Sequence, residues 1–173
     1  MGKTATLFGG GFKDTSTREY KDTVEIGRIL SEKGYVVKNG GYSGLMEAVS
    51  KGATENGGTA IGYTCGTFRS TIGNKFLSST VVSVDLYDRL RHLIKNTDVY
   101  IFQKGGIGTL SEFFTVWDEL RKIKETPIVS APKMILVGSH WRDIVLSVSG
   151  LTTDSENSKL TFVDSLEELE KEL

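Results

Sequence analysis

Val99-Tyr-Ile-Phe102, then Gln103, then Lys104-Gly-Gly-Ile-Gly-Thr-Leu-Ser-Glu112 is the stretch on which the reading of this chain turns. Four apolar residues are followed by three glycines. An amphipathic segment carrying Phe113, Phe114, Trp117 and Leu120 comes next. That order spells strand, glycine loop, helix. Glycines let the backbone approach a ligand closely, and a helix start offers unpaired N–H groups and a positive dipole end. Together they make an anion site, most often for phosphate. Gly105, Gly106, Ile107, Gly108 and Thr109 are its candidate residues. Glu112, one turn into the helix, sets a carboxylate beside whatever the loop holds.

Outward from this stretch, short apolar runs alternate with helical patterns. The runs predict strands at Thr4–Phe8, Tyr35–Lys38, Thr59–Tyr63, Thr80–Val84, Asp98–Phe102, Lys133–Val137 and Leu160–Val163. Helical spacing predicts Ser16–Lys33, Gly44–Asn56, Leu86–Asn96, Gly108–Lys124, Trp141–Val148 and Ser165–Leu173. Strand–helix alternation implies parallel pairing through right-handed crossovers. Strands that are apolar throughout fit a sheet covered on both faces. The expectation is a three-layer, doubly wound α/β domain over residues 1–173, with a mostly parallel sheet of about seven strands. Ligands then sit beyond the carboxyl ends of the strands, where the strand order reverses. Thr152–Lys159 reads as a polar loop. Gly66–Lys75, which lacks periodicity, is a candidate cover for the cleft.

Composition narrows the function. Across 173 residues the formal charge is −1, so no global field favours nucleic acid or an anionic membrane. One cysteine, Cys65, rules out an internal disulfide framework and fits a reducing compartment. One cysteine and two histidines argue against a zinc site, so no metal and no cofactor are expected. No apolar run approaches the roughly 20 residues of a membrane span. Met1-Gly2-Lys3 leads into a strand without a secretory signal pattern, so a cytoplasmic location is expected.

Four glycine clusters fall at predicted strand ends: Gly9-Gly10-Gly11, Gly40-Gly41 with Gly44, Gly62 with Gly66, and Gly105-Gly106 with Gly108. Each alone is compatible with a plain turn. Their common placement at one sheet edge points to a ligand, with Gly10, Gly11, Gly40, Gly41 and Gly44 as further contacts. Neither G-x-G-x-x-G before a helix nor G-x-x-x-x-G-K-[ST] occurs, which disfavours dinucleotide redox chemistry and P-loop hydrolysis. Two readings of Glu112 stand: a site carboxylate, or the closing residue of a capping box Thr109-Leu-Ser-Glu112. Two also stand for Arg89, which borders the apolar stripe Leu86, Leu90, Leu93, Ile94. It either faces the cleft, or packs its stem and keeps its head in water. Lys104 points to a phosphate or to solvent.

Gly40-Gly41-Tyr-Ser-Gly44-Leu-Met46, Asp88-Arg89 within a helix, and Gly-Gly-Ile-Gly-Thr-Leu-Ser-Glu112 together resemble the LONELY GUY (LOG) family, long labelled "possible lysine decarboxylase". Its signature is P-G-G-x-G-T-x-x-E with an upstream M-H-x-R-K. The resemblance implies a Rossmann-like domain that forms a homodimer or higher oligomer and binds a nucleoside 5′-monophosphate. In the family's enzymes the N-glycosidic bond is hydrolysed to free base and ribose 5-phosphate, and plant and bacterial members release cytokinin bases this way. The family's catalytic arginine and glutamate match Arg89 and Glu112. Its phosphate-binding residues match Gly105, Gly106, Gly108 and Thr109. Here Lys104 stands at the motif proline, Leu86 and Tyr87 at the methionine and histidine, and Leu90 at the lysine. The Gly40–Gly44 loop is one residue shorter than the usual triple-glycine form. A sister branch, similar to molybdenum-cofactor carriers, shares the fold and binds without hydrolysing. Nothing in the chain resembles a pyridoxal-phosphate site, so decarboxylation is not expected.

Overall fold

The computed structural model describes residues 2–12, 14–123 and 131–173. Among the described residues, seven strands and seven α-helices follow one another. They are β1 (Lys3–Phe8), α1 (Arg18–Glu32), β2 (Tyr35–Asn39), α2 (Leu45–Glu55), β3 (Ala60–Cys65), β4 (Ser79–Ser83), α3 (Leu86–Ile94), β5 (Val99–Phe102), α4 (Ile107–Arg121), β6 (Lys133–Val137), α5 (His140–Ser147), α6 (Asp154–Asn157), β7 (Leu160–Val163) and α7 (Leu166–Glu172). The strands form one sheet, ordered β4-β3-β2-β1-β5-β6-β7, with every pairing parallel. The order reverses between β1 and β5, and the first glycine cluster and the quoted stretch leave the sheet at that point.

Strand alternation sorts the core into two layers. Ala5, Leu7, Val37, Ile101 and Ile135 face Ile26 and Leu30 of α1, Val49 and Ala53 of α2, and Leu169 of α7. Phe8, Tyr100, Phe102, Met134 and Leu136 lie under Leu93 of α3, Phe113, Trp117 and Leu120 of α4, and Trp141 of α5. The register pairs Phe8 with Phe102 across β1 and β5, and their rings stack at 4.8 Å. Phe113 meets Phe102 edge-on at 5.7 Å and Trp141 at 4.9 Å. The broad apolar arc of α4 is thus largely consumed inside the chain, leaving Phe114 and, at the helix start, Ile107 open to solvent.

Three expectations are corrected. β3 runs on to Cys65, two residues past the expected Tyr63, with Gly62 before its end and Gly66 just after it; a Cβ on Gly62 would come within 2.8 Å of the Gly41 backbone, and close packing explains this glycine. Thr152–Lys159 is not all loop: it holds α6, opened by a capping box between Thr153 and Glu156, and the indole Nε1–H of Trp117 donates to the Glu156 carbonyl at 3.0 Å. Helix α4 begins at Ile107, one residue before the sequence expectation. Lys124, its expected last residue, lies outside the described residues.

Candidate active site

Three backbone loops meet at the switch point. The Gly10 N–H donates to the Lys104 carbonyl at 3.0 Å, and the Gln103 N–H to the Phe8 carbonyl at 2.9 Å, which ties the loop after β1 to the loop after β5. The Gly10 carbonyl in turn accepts from the Leu45 N–H at 2.9 Å, drawing in the loop after β2. Gly44 makes this closeness possible: its φ is +73°, and a Cβ would stand 2.5 Å from the Gly10 carbonyl oxygen. Asn39, at the end of β2, shapes the same turn by accepting from the Gly41 N–H at 2.8 Å and donating to Ser50 at 2.8 Å.

Gly106 is the N-cap of α4, and no side chain caps that end. The first amides of the helix have no partner on the preceding turn. In front of Gly106 and Gly108 the space is open, since a Cβ on either would touch nothing within 4 Å. Gly105 is crowded instead: a Cβ would lie 2.1 Å from Thr109 Oγ1. The glycine therefore seats the Thr109 hydroxyl under the loop, where Thr109 is buried. The capping-box reading of Glu112 fails on this geometry. Thr109 is the third residue of the helix rather than its N-cap, so Glu112 falls in the second turn and has no capping partner.

Glu112 turns toward Arg89. The Arg89 Nη1 stands 3.4 Å from Glu112 Oε1, a long ionic contact rather than a tight hydrogen bond. The rest of the guanidinium is held by carbonyls: Nε donates to Tyr63 at 2.6 Å and Nη2 to Gly40 at 3.1 Å. Gly40 is required for that seat, because a Cβ would lie 1.9 Å from Nη2. The expectation that Arg89 borders an apolar stripe is corrected: Arg89 and Leu93 are the buried residues of α3, and Leu86 is exposed. Burial pushes the Glu112 carboxyl up to about 7; Arg89 pulls in the opposite direction but only partly offsets the desolvation.

Two aromatic residues were missed by sequence reasoning as parts of this site. The Tyr42 and Phe68 rings lie 5.7 and 5.8 Å from the Arg89 guanidinium carbon, and 6.1 Å from each other. Tyr42 sits within the quoted glycine loop, an unusual place for a large ring. Phe68 comes from Gly66–Lys75, so this segment does lie against the site, as its position suggested. Lys104 is half-exposed, with its ammonium 3.7 Å from Glu19 of α1.

The sequence-derived site candidates lie at this one edge. Gly10, Gly11, Gly40, Gly41, Gly44, Gly105 and Gly106 supply loop backbone, Ile107, Gly108 and Thr109 form the first turn of α4, and Arg89 and Glu112 pair beside them. A separate cleft of about 500 Å³ runs along Arg18, Glu19, Gln103, Lys104 and His140 without reaching Arg89 or Glu112. Its charges are largely self-paired, Arg18 with Asp22 and Lys104 with Glu19.

Residues 3–140 match the SLOG cluster4 family. A cytokinin riboside 5′-monophosphate phosphoribohydrolase of Rhodococcoides fascians is 28% identical over 123 residues, covering 68% of this chain and 62% of that protein. A probable cytokinin riboside 5′-monophosphate phosphoribohydrolase of Oryza sativa subsp. japonica is 31% identical over 64% of this chain and 51% of its own length. The matched segment thus spans between half and two thirds of these two relatives. Among solved structures, the molybdenum cofactor binding protein of Rippkaea orientalis superposes with a TM-score of 0.77 at 21% identity, over 98% of this chain and 93% of that one. The sheet order, the glycine loops and the family match agree: this chain belongs to the SLOG cluster4 family, a LOG-like family.

Proposed function

We propose that this protein is a nucleoside 5′-monophosphate phosphoribohydrolase, with Arg89 and Glu112 as its catalytic pair. The observation that carries the reading is a buried carboxylate–guanidinium pair set behind an uncapped, glycine-opened helix start at the switch point. A 5′-phosphate on the amides of Gly106–Thr109 satisfies donors that otherwise lack partners. Glu112 lies five residues beyond Ile107, about 7–8 Å along the helix axis at 1.5 Å per residue. Its side chain tilts back toward the helix start, so the carboxylate falls within reach of a ribose held by its phosphate.

The reaction breaks the C1′–N bond, leaves the electron pair on the base nitrogen, and adds water at C1′. The base takes up a proton, and ribose 5-phosphate carries the new hydroxyl. Positive charge develops on the ribose ring as the bond breaks. The Glu112 carboxylate stabilises that charge from a buried position, where a fixed ion acts more strongly than in water. Arg89 holds the carboxylate in place and balances its charge.

The test is a product assay over AMP, GMP, CMP and UMP. Free base and ribose 5-phosphate are expected from the wild type. Glu112→Gln, which keeps shape and loses charge, is expected to cut turnover by two orders of magnitude or more while the protein stays folded. Unchanged turnover in a folded Glu112→Gln protein overturns the assignment. One observation favours a second reading, a binding protein without hydrolysis: each of the three guanidinium nitrogens of Arg89 already has a protein partner, in Tyr63, Gly40 and Glu112. Saturable AMP binding with no product supports that reading.

A further inference from the structure

Phe68 needs an explanation. It is 42% exposed, a large apolar ring at the edge of the most buried charged pair in the site. Tyr42 stands beside it, with the two rings inclined by 30°. The segment that carries Phe68 is fastened to the Gly40–Gly44 loop. The Tyr42 hydroxyl donates to the Ser70 carbonyl at 3.0 Å and accepts from the Cys65 N–H at 3.0 Å. The Thr64 hydroxyl donates to the Thr71 carbonyl at 2.9 Å. Asn74 donates its N–H to the Gly41 carbonyl at 2.8 Å and its side-chain amide to the Tyr42 carbonyl at 3.0 Å. Five hydrogen bonds therefore tie the backbone around Phe68 to the Gly40–Gly44 loop and to β3, and the Phe68 ring stands against Tyr42. An exposed aromatic on a segment tied down in this way is placed beside the site before binding, so less backbone is left to order.

The location matters as much as the rigidity. Phosphate at the α4 start and ribose at Glu112 leave the third part of a nucleotide to lie past Arg89. Arg89 is the residue that Tyr42 and Phe68 flank. Met46 completes the apolar rim, its sulfur so close to Gly40 that a Cβ there would stand 2.7 Å away.

We propose that Phe68, supported by Tyr42, is the stacking platform for the planar heteroaromatic base of the ligand, and favours the larger purine ring over a pyrimidine. The proposal rests on the phosphate placement above for the ligand's direction. Stacking of one base on an aromatic side chain changes affinity by roughly tenfold or more.

The test is calorimetric binding of AMP, UMP, adenosine and ribose 5-phosphate to the wild type, Phe68→Ala, Phe68→Trp and Ile72→Ala. Ile72, 81% exposed on the same segment, controls for a general disturbance of the loop. Phe68→Ala is expected to weaken AMP about tenfold, narrow the AMP-over-UMP preference and leave ribose 5-phosphate unchanged. Phe68→Trp restores AMP affinity, and Ile72→Ala changes nothing. If AMP and ribose 5-phosphate weaken together, the ring only shields Arg89 and the proposal falls. It also falls if AMP affinity is unchanged in Phe68→Ala, or if the wild type binds no purine compound. Adenosine binding that depends on Phe68, with no binding of ribose 5-phosphate, keeps the platform and overturns the phosphate placement instead.

Discussion

Glu112 carries its burial as a pH-dependent cost. Its carboxyl titrates near 4.5 when solvated and is pushed up to about 7 in the folded protein. Between those values the folded state holds a proton that the unfolded state has lost, so stability falls as pH rises through this window. Below pH 4.5 there is no penalty, and above pH 7 it is complete, on the order of 3 kcal/mol at 1.36 kcal/mol per pKa unit. Glu112→Gln has no such penalty. Its thermal midpoint is expected to match the wild type near pH 4 and to exceed it by several degrees at pH 8, at about 2–4 °C per kcal/mol for a chain of this size. Melting curves of both proteins across that range check this; a constant difference at all pH values contradicts it. Turnover follows the same group: kcat/KM is expected to rise through pH 7 as the carboxylate forms.

At the scale of elements, the inner parallel strands were legible because both faces are covered, so β1, β5 and β6 carry apolar runs, whereas the edge strand β4 is largely exposed. Helix positions followed from apolar spacing. What stayed hidden depended on partners distant in sequence. Arg89 is buried because carbonyls of Tyr63 and Gly40 wait for it, and no local pattern announces a waiting carbonyl. Tyr42 and Phe68 meet only because the chain crosses from β3 to β4 over the β2 loop. The Glu112 ambiguity had a local cause: Thr109-x-x-Glu112 matches a capping box, yet glycine at 106 starts the helix three residues earlier. The same pattern was real at Thr153-x-x-Glu156, where surrounding polarity suggested a loop. Thr153→Ala removes that cap and is expected to cost about 1 kcal/mol. Chemical denaturation should register the loss with turnover intact, since α6 lies away from the glycine loops.

For the whole molecule, apolar surface remains around α3 and the neighbouring edge of the sheet. Val82 is 53% exposed, Val84 78% and Tyr87 77%, with Leu86 beside them. Phe114 of α4 adds a further open ring. Patches of this kind mark contact surfaces. We propose that the protein is a homodimer. Light scattering on a gel-filtered sample is expected to give twice the chain mass of 19.0 kDa, and a stable single-chain mass at micromolar concentration refutes it.

The chain has two tryptophans, and both lie in the aromatic layer between α4 and α5. Trp117 is anchored to α6 by its indole nitrogen, and Trp141 packs on Phe113. The rings around Arg89 are a tyrosine and a phenylalanine instead. Indole emission is therefore a gauge of this packed layer, and it is largely blind to what occupies the glycine loops. A tryptophan introduced at position 68 would give the molecule the optical signal that its own sequence withholds.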